Sequence, residues 1–160
     1  MILSKKITIF FAEYGVILLG IVFLIFCLEG VTIEEFCRRG FTGMFILFVT
    51  LGTAFFLKRI IHKKRPPRKE EFFIPSGRYA FPSGHATGLT AITLYIALSD
   101  GNLAVYALIV SLIVMVARVH ARVHDAYDMF GGVVITSFVT LAILPLIEMY
   151  CVPHILQLLF

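Results

Sequence analysis

Five long apolar runs divide this 160-residue chain, and they leave it few ways to fold. They fall at about residues 7–28, 41–61, 83–98, 103–121 and 128–150. A helix as long as the first run measures roughly 33 Å, enough to cross a hydrocarbon core. Apolar residues make up 59% of the chain and mean hydropathy is +0.95. A soluble domain is nearer about 45–50% apolar, so the composition belongs to the membrane class. The expected fold is all-α: a polytopic transmembrane bundle of about five spans, forming one membrane-embedded domain over residues 1–160. No cleavable signal peptide is expected, because the first run is long and no small-residue cleavage site follows it.

The connectors add detail. Residues 29–40 are polar, and a short interfacial helix is expected there. Glu13 is the one acid of the first run; so near a helix end it is expected to reach the interface. Residues 62–82 form the one substantial loop. Pro66-Pro67 stops the preceding helix. The stretch 68–81 mixes charge with Phe72, Phe73, Tyr79 and Phe81, which suits interfacial anchoring by aromatics and also a lid over a headgroup. Residues 99–102 read as a tight turn. Gly131-Gly132 allows close helix contact, Pro145 predicts a kink, and residues 153–160 form a short apolar tail. Cys27, Cys37 and Cys151 match no zinc or redox spacing and read as free thiols.

Three basic-and-histidine clusters sit at the boundaries of these runs. They are Lys58-x6-Arg65-Pro66, then Pro82-Ser83-Gly84-His85, then Arg118-x5-His124-x3-Asp128. Charge beside a hydrocarbon core is costly and usually marks function. In a five-span topology the first cluster ends span two, the second opens span three, and the third joins spans four and five. All three therefore fall on one face, that of the N-terminus. A basic run can also mark nucleic-acid binding, but here it joins two apolar segments. The implied partners are an anionic lipid headgroup and the bilayer, with no nucleic acid and no obligate protein partner.

The chemistry of the clusters is that of a phosphate site. Catalysis of phosphoryl transfer is mostly positioning and electrostatic stabilisation. Lys58, Arg65 and Arg118 supply three cations, and arginine can fork onto two phosphate oxygens. Pro-Ser-Gly opens a helix whose free N–H groups can cradle an anion. Ser83 adds a hydroxyl, and Gly84 permits close backbone approach. His124 and Asp128 stand at i and i+4, so a helical stretch would put them on one face. The acid can then fix the imidazole tautomer and arm the other ring nitrogen as a nucleophile toward phosphorus. His85 can serve as general acid. No metal or other cofactor is called for, since the three cations do the charge work.

These residues resemble the three-part signature of the type-2 phosphatidic acid phosphatase family, which includes the vanadium haloperoxidases. The resemblance covers residues 58–128 and is specific in spacing and order. It implies an integral-membrane, metal-independent lipid phosphatase that works through a phosphohistidine. By resemblance Lys58, Arg65, Ser83, Gly84 and Arg118 bind phosphate. His124 is the nucleophile, Asp128 its orienting partner, and His85 the general acid. Ala117 stands where the family usually has Ser, which removes one hydroxyl contact. Membrane members commonly have six spans. Small bacterial members act on lipid A 1-phosphate, phosphatidylglycerol phosphate, undecaprenyl diphosphate or phosphatidic acid, and the first or a related envelope lipid is the expected substrate.

A rival reading uses overlapping residues. On one helical face, His120, His124 and Asp128 at i, i+4 and i+8 could ligate a divalent metal in a transporter or metal-binding membrane protein. Ala121 stands where His-Glu-x-x-His would need Glu, so protease chemistry lacks its base. Sidedness is pulled two ways. Twelve of the fourteen Lys and Arg residues lie on the site's face, which the positive-inside rule would turn to the cytoplasm. The family resemblance instead implies a cytoplasmic (inner) membrane protein whose site faces the periplasm or outside.

Overall fold

A computed structural model describes residues 2–30, 32–65, 78–99 and 102–159. Five helices form the bundle: α1 (Ile2–Leu28), α2 (Ile33–Ile61), α3 (Gly84–Ser99), α4 (Ala104–His120) and α5 (Ala126–Leu146). A π-helical turn, Ile147–Cys151, carries α5 on into α6 (Val152–Leu159). Three helical stretches are long and apolar enough to cross a membrane: Lys6–Leu28, Ile33–Ile61 and Ala126–Leu159. With 16 and 17 residues, α3 and α4 are only about 24–26 Å long. α3 packs in the middle against α2, α4 and α5, while α4 packs chiefly against α1 and leaves an apolar face with Val105, Leu112 and Val116 exposed.

The core runs through the middle. Phe26, Ile46, Leu89, Tyr95, Ile96 and Val114 are fully buried in it. The outward faces remain apolar, with Phe48, Phe56, Phe130 and Phe138 exposed. An apolar coat over an apolar core is what a helix bundle in lipid requires, since no water solvates its surface.

Several expectations are corrected. The connector at 29–40 is no separate helix, because residues 33–40 are the first two turns of α2. Thr32 caps that helix by accepting from the Glu35 N–H at 3.1 Å. The Thr-x-x-Glu pattern favours such a start. The tail is helical and continuous with α5. Pro145 lacks the N–H that a helix interior needs, and the register slips into the π-turn just after it. Glu13 is only 6% exposed and lies on the buried side of α1 with Ala12 and Gly15. At Gly15 the contact with α4 is so close that a Cβ would overlap Val114.

Gly131 and Gly132 do what their sequence suggested. A Cβ on Gly131 would meet the Phe81 ring, and one on Gly132 would lie 2.9 Å from Ala86 Cβ and 3.0 Å from the Ser83 carbonyl. The start of α5 therefore rests directly on the start of α3. Pro66-Pro67, Ser76 and most of the 68–81 stretch lie outside the described residues. Its described end returns to the bundle, with Lys64 and Tyr79 forming an antiparallel bridge and the Ala80 N–H donating to the Lys63 carbonyl at 2.8 Å.

Candidate active site

The three clusters converge at one end of the bundle. Lys58 lies in the last turn of α2 and donates to the Ala80 carbonyl at 3.3 Å and to the Pro82 carbonyl. Its ammonium is thereby aimed at the segment that opens α3. Ser83 precedes α3 and is fully buried. Its N–H donates to the Asp128 carbonyl at 3.0 Å, and its hydroxyl accepts a long bond from the Ala86 N–H at 3.4 Å. The second and third clusters are thus tied by backbone. Around Gly84 the space is open, with nothing within 4 Å of where a Cβ would be. Gly84 opens α3 at the positive end of its dipole, next to that open space.

Arg118 ends α4 and is 5% exposed. Its Nη1 donates to the Ala12 carbonyl at 2.5 Å, so α1 takes part in holding this cation. The sequence had no way to show this, because the acceptor is a backbone oxygen. Arg65 follows α2. Its Nη1 donates to the Val123 carbonyl at 3.1 Å and approaches His124 Nε2 at 3.3 Å.

His124 and Asp128 do meet, but not as an i, i+4 pair on one helix. α4 ends at His120, and α5 begins at Ala126. Asp125 caps α5, accepting from the Asp128 N–H at 2.9 Å, while Asp128 Oδ2 accepts from the Asp125 N–H at 3.2 Å. This reciprocal cap satisfies helix donors that would otherwise be orphaned. It also turns the fully buried Asp128 carboxylate back toward His124, whose Nδ1 stands 3.4 Å from Oδ2. The same break removes the metal reading. His120 is exposed at the end of α4, so His120, His124 and Asp128 share no helical face. Among the described residues, no group of three potential metal ligands is close enough to hold an ion.

The tautomer of His124 follows from its partners. A guanidinium can only donate, and a carboxylate can only accept. Nε2, facing Arg65, therefore carries the lone pair, and Nδ1, facing Asp128, carries the proton. Burial first, and then the charges of Arg65, Arg118 and Lys58, push the His124 pKa down to about 2. The ring is neutral at physiological pH, with a free lone pair on the nitrogen that faces the cations. His85, in the first turn of α3, feels the same three cations. A site this positive complements a phosphate dianion.

Lys63 was missed in the sequence. Its ammonium reaches Asp125 Oδ2 at 2.5 Å and Asp128 Oδ1 at 2.7 Å. Burial works against its charge, but the two carboxylates outweigh it and raise the Lys63 pKa. Burial pushes the Asp125 pKa up, but the bond and charge of Lys63 and the N–H groups of Asp128 and Tyr127 together lower it. In the sequence Lys63 is one of several basic residues in a row, and only the fold distinguishes it.

One further feature adjoins the site. A groove of about 510 Å³ runs between α1, α2 and α3, with Gly84 and His85 in its wall. Along α3 it passes Gly88 and Leu89 to Ile92, about 12 Å of helix. Val16, Leu19 and Phe23 line it from α1, and Leu51, Leu47 and Met44 from α2. Its walls are almost wholly apolar.

A family model described as the PAP2 superfamily matches residues 41–150, which hold all three clusters. The chain belongs to the PAP2 superfamily. Neither the curated proteins nor the solved structures gave a match. Membership in the PAP2 superfamily indicates a phosphatase acting on phosphate esters, and the long apolar helices fit a membrane protein.

Proposed function

We propose that this PAP2 protein is a metal-independent lipid phosphatase that works through a phosphohistidine. The observation carrying the lipid assignment is the apolar groove that opens beside His85. A soluble phosphate ester has no use for a dry groove entered through the bundle wall, whereas a lipid reaches it from the bilayer.

In this reading the phosphoryl oxygens sit among Lys58, Arg65 and Arg118, against Ser83 and the N–H groups that open α3. On substrate binding, Arg65 exchanges the His124 lone pair for phosphate oxygens. Nε2 then attacks phosphorus, and the bond to the lipid oxygen breaks. His85, on the groove side, takes up a proton as the phosphate dianion enters and offsets the three cations; it then gives that proton to the leaving oxygen, so the lipid leaves as an alcohol or, from a diphosphate, as a lipid monophosphate. His124 becomes a positively charged N-phosphoimidazole, with Asp128 accepting its Nδ1–H. Next, His85 takes a proton from water, whose oxygen attacks phosphorus and releases inorganic phosphate. Nε2 recovers its lone pair. The negative charge on the phosphoryl oxygens faces fixed cations and helix N–H groups, and the positive charge on His124 faces Asp128, the usual source of most catalytic power.

Among lipids, the reading ranks lipid A 1-phosphate or a related anionic envelope lipid first. Phosphatidylglycerol phosphate, undecaprenyl diphosphate and phosphatidic acid follow. The ranking rests on the basic and aromatic residues of the 68–81 stretch. The site is assigned to the outer face of the cytoplasmic membrane. That choice suits Cys27, Cys37 and Cys151, three free cysteines at the opposite end of the bundle, where the cytoplasm is reducing. Labelling of a Ser76→Cys variant in intact cells by an impermeant thiol reagent tests it. Labelling only after lysis would reverse the assignment.

The function is tested by phosphate release from these four lipids, using detergent-purified protein with EDTA present and His124→Ala as control. Release that survives EDTA and is lost in the variant is expected, as is inhibition by vanadate. No release from any of the four by folded protein would refute the proposal.

A further inference from the structure

Lys63 is one of the unspecified positions between Lys58 and Arg65 in the first cluster, yet its ammonium pairs with the Asp128 carboxylate at 2.7 Å, opposite the His124 contact. A fully buried carboxylate needs such a partner, because burying an unpaired charge is strongly unfavourable. Lys63 takes Oδ1, while the Asp125 N–H and His124 Nδ1 share Oδ2. The main chain fixes Lys63 itself, its carbonyl accepting from Ala80 and its neighbour Lys64 bridging to Tyr79. The ammonium is therefore held over α5 by a short strap.

We propose that Lys63 is a positioning residue for the phosphatase reaction: pairing with Asp128 Oδ1 holds that carboxylate turned to receive the Nδ1 proton of His124. The inference rests on the phosphohistidine reading above. Its logic is a choice between tautomers. An ionised Asp128 can only accept, which places the imidazole proton on Nδ1 and the lone pair on Nε2. Without the bond to Oδ1 the carboxylate loses its fixed orientation, and with it the contact from Oδ2 to Nδ1. The ring is then free to take the other tautomer, with its proton on Nε2, where the nucleophilic lone pair is lost.

The charged and titratable groups around this pair come from every neighbouring element. Lys58 comes from α2, and Lys63 and Arg65 from the strap after it. His85 comes from α3, Arg118 from α4, and Asp125 from the turn before α5. From α1 comes the Ala12 carbonyl on Arg118, with Glu13 next to it in sequence. Arg65 and Arg118 are committed in part to the Val123 and Ala12 carbonyls. Lys63 is the cation that both carboxylates share.

The test measures kcat and KM for the full chain in detergent, on a short-chain lipid phosphate. Lys63→Met, Lys63→Arg, Asp125→Asn and His124→Ala are compared with wild type. Lys63→Met is expected to lower kcat about 10- to 100-fold with KM within about twofold. Lys63→Arg restores most of kcat. Asp125→Asn keeps the helix cap and leaves Lys63 wholly on Asp128, so kcat stays within about threefold. This arm stands even if Lys63→Met fails to fold. A raised KM with kcat intact in Lys63→Met would overturn the proposal in favour of a direct phosphate contact. Loss of kcat with no rescue by Arg would overturn it in favour of a purely structural role, as would Asp125→Asn as inactive as His124→Ala. A wild type without phosphatase activity would instead refute the functional reading itself.

Discussion

Gly132→Ala adds one methyl group at the point where packing and the proposed chemistry meet. Its Cβ would stand 2.9 Å from Ala86 Cβ and 3.0 Å from the Ser83 carbonyl oxygen. Relaxed contacts need about 3.5–4.0 Å, so α5 and α3 must separate by something over half an ångström. Neither neighbour can rotate away, one being a methyl on helix backbone and the other a main-chain carbonyl. Overpacking of this kind costs about 1–3 kcal/mol. Replacing glycine by alanine in a helix interior returns about 1 kcal/mol. The net loss of stability is therefore modest, about 0–2 kcal/mol. Activity is hit harder. The same crossing carries the 3.0 Å bond from Ser83 N–H to the Asp128 carbonyl, which registers the proposed phosphate-binding turn against His124. A misplacement of about 1 Å can cost about 100-fold in rate, so a loss of about 10- to 100-fold in kcat/KM is expected. Phosphate release and thermal unfolding in detergent are measured together, with Gly52→Ala as control, because its Cβ would meet nothing within 4 Å. A Gly132→Ala protein with wild-type kcat/KM would refute the argument that this crossing sets the site's geometry.

Three further outcomes are expected. His124→Ala and His85→Ala abolish turnover while circular dichroism shows the helices intact, and His120→Ala keeps most activity; equal loss in His120→Ala would revive metal chemistry. Gly88→Leu narrows the groove, since even a Cβ there lies 3.4 Å from Leu47 Cδ1. It should depress turnover of long-chain lipid phosphates at least about tenfold while sparing a short soluble ester, and equal loss on both would separate the groove from lipid binding. Because the folded His124 pKa lies below the 6.5 of a free imidazole side chain, its contribution to stability is present above pH 6.5 and declines as pH falls toward the folded value. Between pH 6.5 and 5 this amounts to about 2 kcal/mol. Unfolding in detergent across that range should show a slope that His124→Ala reduces, and an unchanged slope would contradict the buried, neutral ring.

Much of the fold was legible because lipid leaves only helices for such apolar runs. The starts of α3, α4 and α5 fall within about two residues of the expected spans. The start of α2 was readable in Thr32-x-x-Glu35, but the charge of residues 34–39 disguised two helical turns as a connector. The three clusters announced themselves by composition and spacing. How His124 meets Asp128 did not, because Asp125 interrupts the helix as a cap and replaces a helical face by a reciprocal turn. Lys63 stayed hidden among like charges, and the Ala12 carbonyl has no side chain to betray it. Both are long-range contacts, made only when α2 and α1 close on α5 and α4.

The central claim is best tested by trapping the covalent intermediate. Purified protein is mixed with a lipid phosphate labelled in its terminal phosphoryl group, quenched in alkali, and digested to locate the label. The account predicts label on His124, stable to alkali and lost in acid, formed in the presence of EDTA and absent from His124→Ala. Steady turnover of the lipid with no label on His124 under those conditions, or turnover that EDTA abolishes, would contradict it.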